Sequence, residues 1–201
     1  MQKQRKNKEA RHNQLIQCAT RVFAKRGYKG ATTSEISRAA KVSEKMIYVH
    51  FKSKKALFLK CLERVRTDLE GGFREIISEN KGNPSLILEQ YGMFFFDYIK
   101  NNRHAAGLLS LFVNEMTDRD IKNAYRRMLE SYVSNVEYTI QLAVAKGAVA
   151  KEIDARALAW LYVGNYHTIT MMSEFEFPEF HRVFITKMIE MFNRAMTIAG
   201  S

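Results

Sequence analysis

The chain has 201 residues, of which 46% are hydrophobic, so it can bury a substantial core in one large domain or in a small domain fused to a larger one. No stretch is apolar for the length of a membrane span, and the polar, basic start MQKQRKNKEARHN does not fit a secretory signal. We therefore expect a cytoplasmic protein with no membrane partner.

Positive charge is concentrated at the beginning of the chain. The first 60 residues hold 16 Lys and Arg against three acids, a net charge of +13, whereas the remaining residues hold 16 against 18, a net charge of −2. A generally basic, solvated surface would spread this charge along the chain. The distribution instead favours nucleic acid as the partner of the first 60 residues.

The first predicted helix runs from about Glu9 to Arg26 and ends at Gly27, a favourable residue for a helix C-terminus. Its apolar face consists of Leu15, Ala19, Val22 and Phe23. Residues 1–8 precede it as a basic arm. Such an arm either lies in a minor groove or remains a solvated tail, and the sequence favours neither.

Two short helices follow. Thr32 and Glu35 have the spacing of a capping box, which predicts a helix that begins near Thr33. Ser43 is placed to cap the next helix, from about Glu44 to His50, whose seven residues span about 10 Å and fit a major groove of similar width. Four apolar residues are expected to close a small core between the two helices: Ile36, Ala40, Val42 and Ile47.

Residues Leu15 to Leu62 resemble the DNA-binding domain of TetR-type transcriptional repressors. The resemblance is carried by FAKRGYKGATT at the end of the first helix, the turn AKVS, IYVHF at the end of the third helix and KSKKAL at the start of the next. It implies a three-helix DNA-binding unit, a fourth helix that leads to a variable helical domain, and a symmetric dimer on an operator.

One residue departs from the pattern of that family, which usually has Gly where this chain has Lys41. If the turn requires a left-handed residue, Lys41 costs roughly 1–2 kcal/mol relative to a relaxed conformation. The alternative is a slightly different turn in which Lys41 contacts a phosphate.

Base contacts are predicted for the first turn of the third helix. Lys45 is expected to donate to guanine and Met46 to meet a thymine methyl group, while Glu44 either accepts from cytosine or stabilises the helix start. The resemblance implies phosphate contacts by six further residues: Thr32, Thr33, Ser43, Tyr48, His50 and Lys54. For Tyr48 the alternative is packing in the three-helix core.

The rest of the chain predicts helices separated by short polar breaks, and about nine in all. Their expected limits are Lys54 to Glu79 with a kink or joint at Gly71 and Gly72, Pro84 to Asn101, Arg103 to Met116, Arg119 to Lys146 after a cap at Asp118 and before Gly147, one helix capped by Asp154, and one opened by Pro178. The last two have broad apolar faces, which predicts that they pair with the same helices of a second chain.

Aromatic and Met residues in this part either line a ligand cavity or form ordinary core. The residues predicted to bind a ligand are Met93, Phe94, Asp97, Phe112, Glu115, Met116, Tyr125, Met128, Trp160, Tyr162, Tyr166 and His167. Asp97 and Glu115 are acids flanked by apolar residues, so they either pair with arginines (Arg103, Arg126 or Arg127) or face a cationic ligand.

No catalytic motif such as HExxH or GxSxG occurs, and the two cysteines, Cys18 and Cys61, are best interpreted as buried structural thiols. We therefore expect no enzyme, cofactor or metal site. The sequence predicts an all-α fold with a helix-turn-helix DNA-binding domain at 1–55 and a helical effector-binding and dimerisation domain at 56–201.

The predicted function is that of a homodimeric repressor released from a palindromic double-stranded DNA operator by a small-molecule effector. One alternative is an architectural DNA-binding protein without an effector, which would discriminate little between DNA sequences. The other is a helical carrier or enzyme whose DNA-binding domain is a vestige.

Overall fold

The computed structural model describes residues 2–111, 115 and 117–198, and every regular element in these residues is a helix. The helices are α1 (Gln2–Gly30), α2 (Thr33–Ala39), α3 (Glu44–His50), α4 (Lys54–Glu79), α5 (Pro84–Asn101), α6 (Arg103–Ser110), α7 (Arg119–Ala145), α8 (Ala155–Glu174) and α9 (Arg182–Ile198). The prediction of an all-helical protein is confirmed. None of these helices combines the length and the apolar character needed to cross a membrane.

The chain divides into two compact units. The first consists of Met1–Val65 and His104–Tyr125, and the second of Arg66–Arg103 and Arg126–Ser201. Helices α4 and α7 each contribute residues to both units. The domain division after residue 55 stays a prediction.

Helix α1 begins earlier than predicted, because residues 2–8 continue it instead of forming a separate arm. Gln, Lys and Arg are good helix formers, and no Pro or Gly interrupts them before the apolar stripe begins. Gly27 leaves the helical conformation, with a φ of +71° that suits a residue without a side chain. The predicted break at Gly27 is therefore found, and one further helical turn follows it.

The turn between α2 and α3 is built from local hydrogen bonds. The predicted capping box is confirmed: the Glu35 amide donates to Thr32 Oγ1 at 3.1 Å and the Thr32 amide donates to Glu35 Oε2 at 3.1 Å. At the other end of α2, the Val42 amide donates to Ser37 O at 3.0 Å. This bond closes a Schellman turn in which Lys41 has a φ of +53°, so the left-handed alternative is the correct one.

Helix α3 packs into the core of the first unit through one buried residue, Ile47. Ile47 is fully buried, as are Ile36 and Ala40 of α2 and the turn after it, whereas Val42, also expected in this core, is only half-buried. The rings of Phe23 and Phe58 pack edge to face at 4.9 Å and are buried with them. Cys18 and Cys61 are buried free thiols, and burial raises the pKa of Cys61 to about 12.

In the second unit, α5 buries one face, which contains Leu88, Tyr91 and Phe95. Helix α4 passes through Gly71 and Gly72 as one continuous helix, so the backbone does not break there, and a kink or flexible joint stays a prediction. The ring of Phe94 occupies the space where a side chain on residue 72 would stand. Gly72 therefore allows close packing.

The predicted caps at Asp118 and Asp154 are confirmed, since Asp118 Oδ1 accepts from the Ile121 amide at 3.2 Å and Asp154 Oδ1 from the Ala157 amide at 3.0 Å. Helix α5 begins at Pro84 as predicted, and Asn83, which was not predicted as a cap, caps it: its Oδ1 accepts from the Leu86 amide at 3.1 Å. Helix α9 does not begin at Pro178. That residue follows Phe177 in a turn closed by a bond of 2.9 Å from the Phe180 amide to Phe177 O, and Pro is well suited to this position.

The left-handed backbone of Lys41 gives a direct test of the turn. Replacing Lys41 by Gly should raise the free energy of unfolding by about 1 kcal/mol, because Gly adopts this conformation without the clash of a side chain. Urea unfolding measures the change. As a control, Lys45→Gly within α3 should lower stability by up to about 1 kcal/mol; a destabilised Lys41→Gly variant would contradict this account of the turn.

Candidate DNA-binding surface

The outer face of α3 is set by its buried residue. Because Ile47 points into the core, residues two positions away on either side, Lys45 and Val49, lie on the opposite face. Val49 is 59% exposed and Tyr48 53% exposed, which is unusual for apolar and aromatic side chains. Met46, predicted to meet a thymine methyl group, is half-buried.

Val49 was not predicted as a DNA-binding residue, although its spacing from Ile47 was available in the sequence. An exposed apolar side chain beside an exposed lysine can contact a thymine methyl group while the lysine donates to a neighbouring base. The outer face of α3 therefore offers both an apolar and a charged group.

A polar cluster joins the first turns of α2 and α3. Thr33 Oγ1 donates to Glu44 Oε1, and the Tyr48 hydroxyl lies 3.5 Å from the same Thr33 oxygen. Glu44 and Tyr48 are exposed, and Thr33 is half-buried. Two predicted phosphate contacts and one predicted base contact are thus brought together.

The hydroxyls of Thr32 and Ser43 have different roles in the two helix starts. Thr32 uses its hydroxyl in the capping box of α2. Ser43 occupies the capping position of α3, but its side chain makes no capping bond, so that part of the prediction is wrong. The Met46 amide donates to the backbone oxygen of Ser43 at 2.9 Å, which leaves the exposed hydroxyl available to another partner.

Lys54 is held at the end of α1. Its ammonium group donates to the backbone oxygens of Tyr28 and Ala31, both at 2.8 Å, and lies 4.7 Å from the centre of the Tyr28 ring. A cation at a helix C-terminus satisfies carbonyl groups that the helix leaves unpaired. Lys54 therefore stabilises the unit itself, and its phosphate contact stays a prediction.

Glu115 also forms a hydrogen bond with the backbone of Tyr28. Its Oε1 accepts from the Tyr28 amide at 2.9 Å, and the residue is only 4% exposed. Gly27 turns the backbone and frees this amide for a side-chain partner. The predicted pairing of Glu115 with an arginine is therefore wrong, and the carboxylate instead satisfies a backbone donor in the first unit.

His12 and His50 form an aromatic contact at the end of α3, with ring centres 5.7 Å apart, and His12 also stacks on Phe51. Burial lowers the pKa of both imidazoles, assisted by Lys60 for His12 and by His12 for His50. The neutral form of both rings is therefore favoured in the free protein. A phosphate placed beside His50 would favour its charged form.

The predicted ligand residues belong to both units. Glu115 and Tyr125 belong to the first unit, and Tyr125 donates to Leu108 O at 2.6 Å. In the second unit, the buried rings of Tyr162 and Tyr166 are 5.7 Å apart, whereas Trp160 is 45% exposed. The remaining members in that unit are Met93, Phe94, Asp97, Met128 and His167, while Phe112 and Met116 lie outside the described residues.

Asp97 is paired, but with none of the three arginines expected. Arg182 of α9 donates to both of its carboxylate oxygens at 2.9 Å. Both side chains are substantially exposed, so this pair adds little to stability. Within the residues that the structure describes, no group of three His, Cys, Asp or Glu is arranged to hold a metal ion.

A cleft of about 310 Å³ opens on the second unit between the start of α5 and α9. Its lining consists of Asn83, Ser85, Leu86, Glu89, Glu190, Asn193 and Arg194. None of the predicted ligand residues is among them, so the ligand-binding set stays a prediction.

Part of the first unit is similar to a known protein family. Residues 15–61 match the model of bacterial regulatory proteins of the tetR family. The chain is 22% identical over 162 residues to the transcriptional repressor DhaR of Mycobacterium sp., which covers 81% of each chain. It is 32% identical over 108 residues to the transcriptional activator FasR of Mycolicibacterium smegmatis, and this match spans 54% of the chain and about half (48%) of FasR.

The fold is similar along almost the whole chain to a solved structure. The regulator FadR of Bacillus subtilis, in complex with stearoyl-CoA, superposes with a TM-score of 0.75. The superposition covers 92% of this chain and 97% of FadR, at 16% sequence identity. This likeness concerns the fold.

Lys54, the first residue of α4, and Lys52, which precedes the helix, allow the structural role of Lys54 to be tested. Lys54→Met should lower the free energy of unfolding by about 1–3 kcal/mol, because two backbone oxygens lose a charged donor. Lys52→Met, at an exposed position two residues earlier, should leave stability within about 0.5 kcal/mol. Chemical denaturation of both variants checks this, and equal stability of the two would rule out the structural role of Lys54.

Proposed function

We propose that the chain is a homodimeric repressor of a palindromic operator, released by a small-molecule effector, because its residues 15–61 match the tetR family model and its fold is similar to that of FadR. Among its relatives, DhaR is described as a transcriptional repressor. The observation that carries the proposal is the outer face of α3. This face is exposed, and it lies within the first 60 residues of the chain, which together hold a net charge of +13.

Sequence recognition is assigned to α3 and affinity to the groups around it. Lys45 is placed to donate to guanine, and Val49 to contact a thymine methyl group on the same face. Ser43 has an exposed hydroxyl that can donate to a phosphate, and Lys52 adds a charge. Phosphate contacts position the protein, while base contacts select the sequence.

Dimerisation is assigned to α8 and α9, which leave large apolar side chains in water. The exposed large apolar residues of these helices are Trp160, Leu161, Met171, Val183, Phe184 and Met191. Several such side chains exposed on two helices favour an interface. A second copy of the chain is a suitable partner, because a symmetric dimer presents two copies of α3 to a palindrome.

An effector site is assigned to the aromatic interior of the second unit. The rings of Phe95 and Tyr166 stack at 4.2 Å, with Tyr132 and Phe73 beside them. The Tyr132 hydroxyl is buried and has no hydrogen-bond partner among the described residues, so it has an unused donor for a polar atom of a ligand. FadR is similar in fold and binds stearoyl-CoA, which makes that compound the first probe.

The operator is found by selecting genomic fragments bound by the purified full-length protein. We expect a palindromic site bound at least ~10³-fold more tightly than unrelated DNA, because base contacts add to the charge interaction. The selected site and its promoter are then used as the template of a transcription assay, in which the protein should lower the amount of transcript.

Four outcomes contradict parts of this proposal. A small preference for any sequence would indicate an architectural DNA-binding protein, and a failure to select any fragment would favour a carrier or enzyme. An increased transcript would indicate an activator, as FasR is described. Stearoyl-CoA added to the protein–DNA complex should release the protein from its site, and a short fatty acid is the matched control. A complex that persists would show that stearoyl-CoA is not the effector.

The dimer assignment is tested at Leu161, which is 66% exposed on α8. Leu161→Glu should convert the dimer to a monomer, because a carboxylate in an apolar interface loses its hydration without gaining a partner. Analytical ultracentrifugation measures the mass. Lys122→Glu on α7, an exposed position outside α8 and α9, is the control and should remain dimeric. A dimeric Leu161→Glu variant would show that the interface lies elsewhere.

A further inference from the structure

We propose that Glu44 reads the amino group of a cytosine in the operator, and that Thr33 is the residue that positions its carboxylate. The inference rests on the proposed function, since it requires a selected operator. It names the base that Glu44 contacts, and it gives α2 a part in sequence recognition. In helix-turn-helix proteins the base contacts are generally made by the second helix of the motif, which is α3 here.

The geometry joins three residues from two helices. Glu44 stands at the first position of α3, and its Oε1 accepts the hydroxyl proton of Thr33, the first residue of α2. A hydroxyl has one proton to donate. Thr33 therefore cannot also donate its hydroxyl proton to a phosphate while this bond exists, which changes the role implied by the resemblance.

The second oxygen of Glu44 remains available. Glu44 is exposed, and among the residues that the structure describes no Lys or Arg forms an ion pair with it. This is unusual on a surface with such an excess of positive charge. The carboxylate is thus presented to DNA as an acceptor and not consumed by a neighbouring cation.

A carboxylate at a DNA surface is unfavourable unless it meets a donor. It repels phosphates, and it also repels the acceptor atoms N7 and O6 of guanine and O4 of thymine. Cytosine presents its N4 amino group with an acceptor on one side only, O6 of the paired guanine, whereas the N6 amino group of adenine lies between its own N7 and O4 of the paired thymine. Cytosine is therefore the base that an acceptor-only group in this position prefers.

Thr33 contributes by restricting the carboxylate before DNA binds. A free glutamate side chain has several rotamers, and fixing one of them on binding reduces affinity. The bond from Thr33 selects one orientation in advance. The Tyr48 hydroxyl lies 3.5 Å from Thr33 Oγ1 and borders the same cluster on α3.

The test uses full-length protein and a set of operators in which every base pair of the half-site is changed in turn. For the wild type we expect one position at which cytosine is preferred by roughly 10-fold or more. In Glu44→Ala this preference should disappear while binding to unrelated DNA becomes tighter. In Glu44→Gln the preference should move towards adenine, since an amide can both donate to N7 and accept from N6.

Thr33 is tested with a pair of variants. Thr33→Val removes the donor with little change of shape and should reduce the cytosine preference at the same position, whereas Thr33→Ser should retain it. The salt dependence of binding should be the same for both, because no phosphate contact is lost. Thermal unfolding checks that each variant is folded. If Thr33→Val does not fold, the inference is tested by the Glu44 variants alone.

Several results overturn the inference. If Glu44→Ala changed the affinity for all operators equally, Glu44 would act only as a repulsive charge and not as a base-reading group. If Thr33→Val kept the full cytosine preference, Thr33 would have no positioning role. A wild type that selects an operator without any cytosine position near α3 would refute the base assignment alone. A wild type without any preferred sequence would refute the proposed function as well, which distinguishes the two failures.

Discussion

The orientation of α3 depends on the burial of one side chain, Ile47. A helix of seven residues is not stable by itself, so packing against the rest of the unit must hold it. Ile47 is fully buried together with Ile36 and Ala40. Because Ile47 faces inward, Lys45 and Val49 face outward, and the surface available to DNA follows from this apolar contact.

Local chemistry allowed much of the fold to be predicted. The capping residues Thr32, Asp118 and Asp154 each act within a few residues of themselves, and the helix starts that they indicate are correct. Two errors are local: Ser43 makes no capping bond, and the last helix begins at Arg182 and not at Pro178. Other features depend on tertiary contacts: Gly72 makes room for the ring of Phe94, a residue more than twenty positions away.

The same distinction applies to the site. The outer face of α3 follows from helical spacing, so Lys45 was predicted and Val49 was equally predictable. The structural bonds of Lys54 and Glu115 were not, because both reach the backbone around Tyr28, which Gly27 turns out of the helix. Neither partner has a sequence signature, since a backbone amide and a backbone oxygen are present at almost every residue. The apolar neighbours of Glu115 therefore indicated a buried interaction correctly, but not its partner, whereas the pair of Asp97 with Arg182 is exposed.

The most direct test is methylation protection of the selected operator by dimethyl sulfate, which modifies guanine N7 in the major groove and adenine N3 in the minor groove. Two copies of α3 should protect guanine N7 in two groups separated by one helical turn, roughly 10–10.5 base pairs, or by a multiple of it. Protection of adenine N3 alone, with guanine N7 as reactive as in free DNA, would contradict the central claim that α3 reads base edges in the major groove.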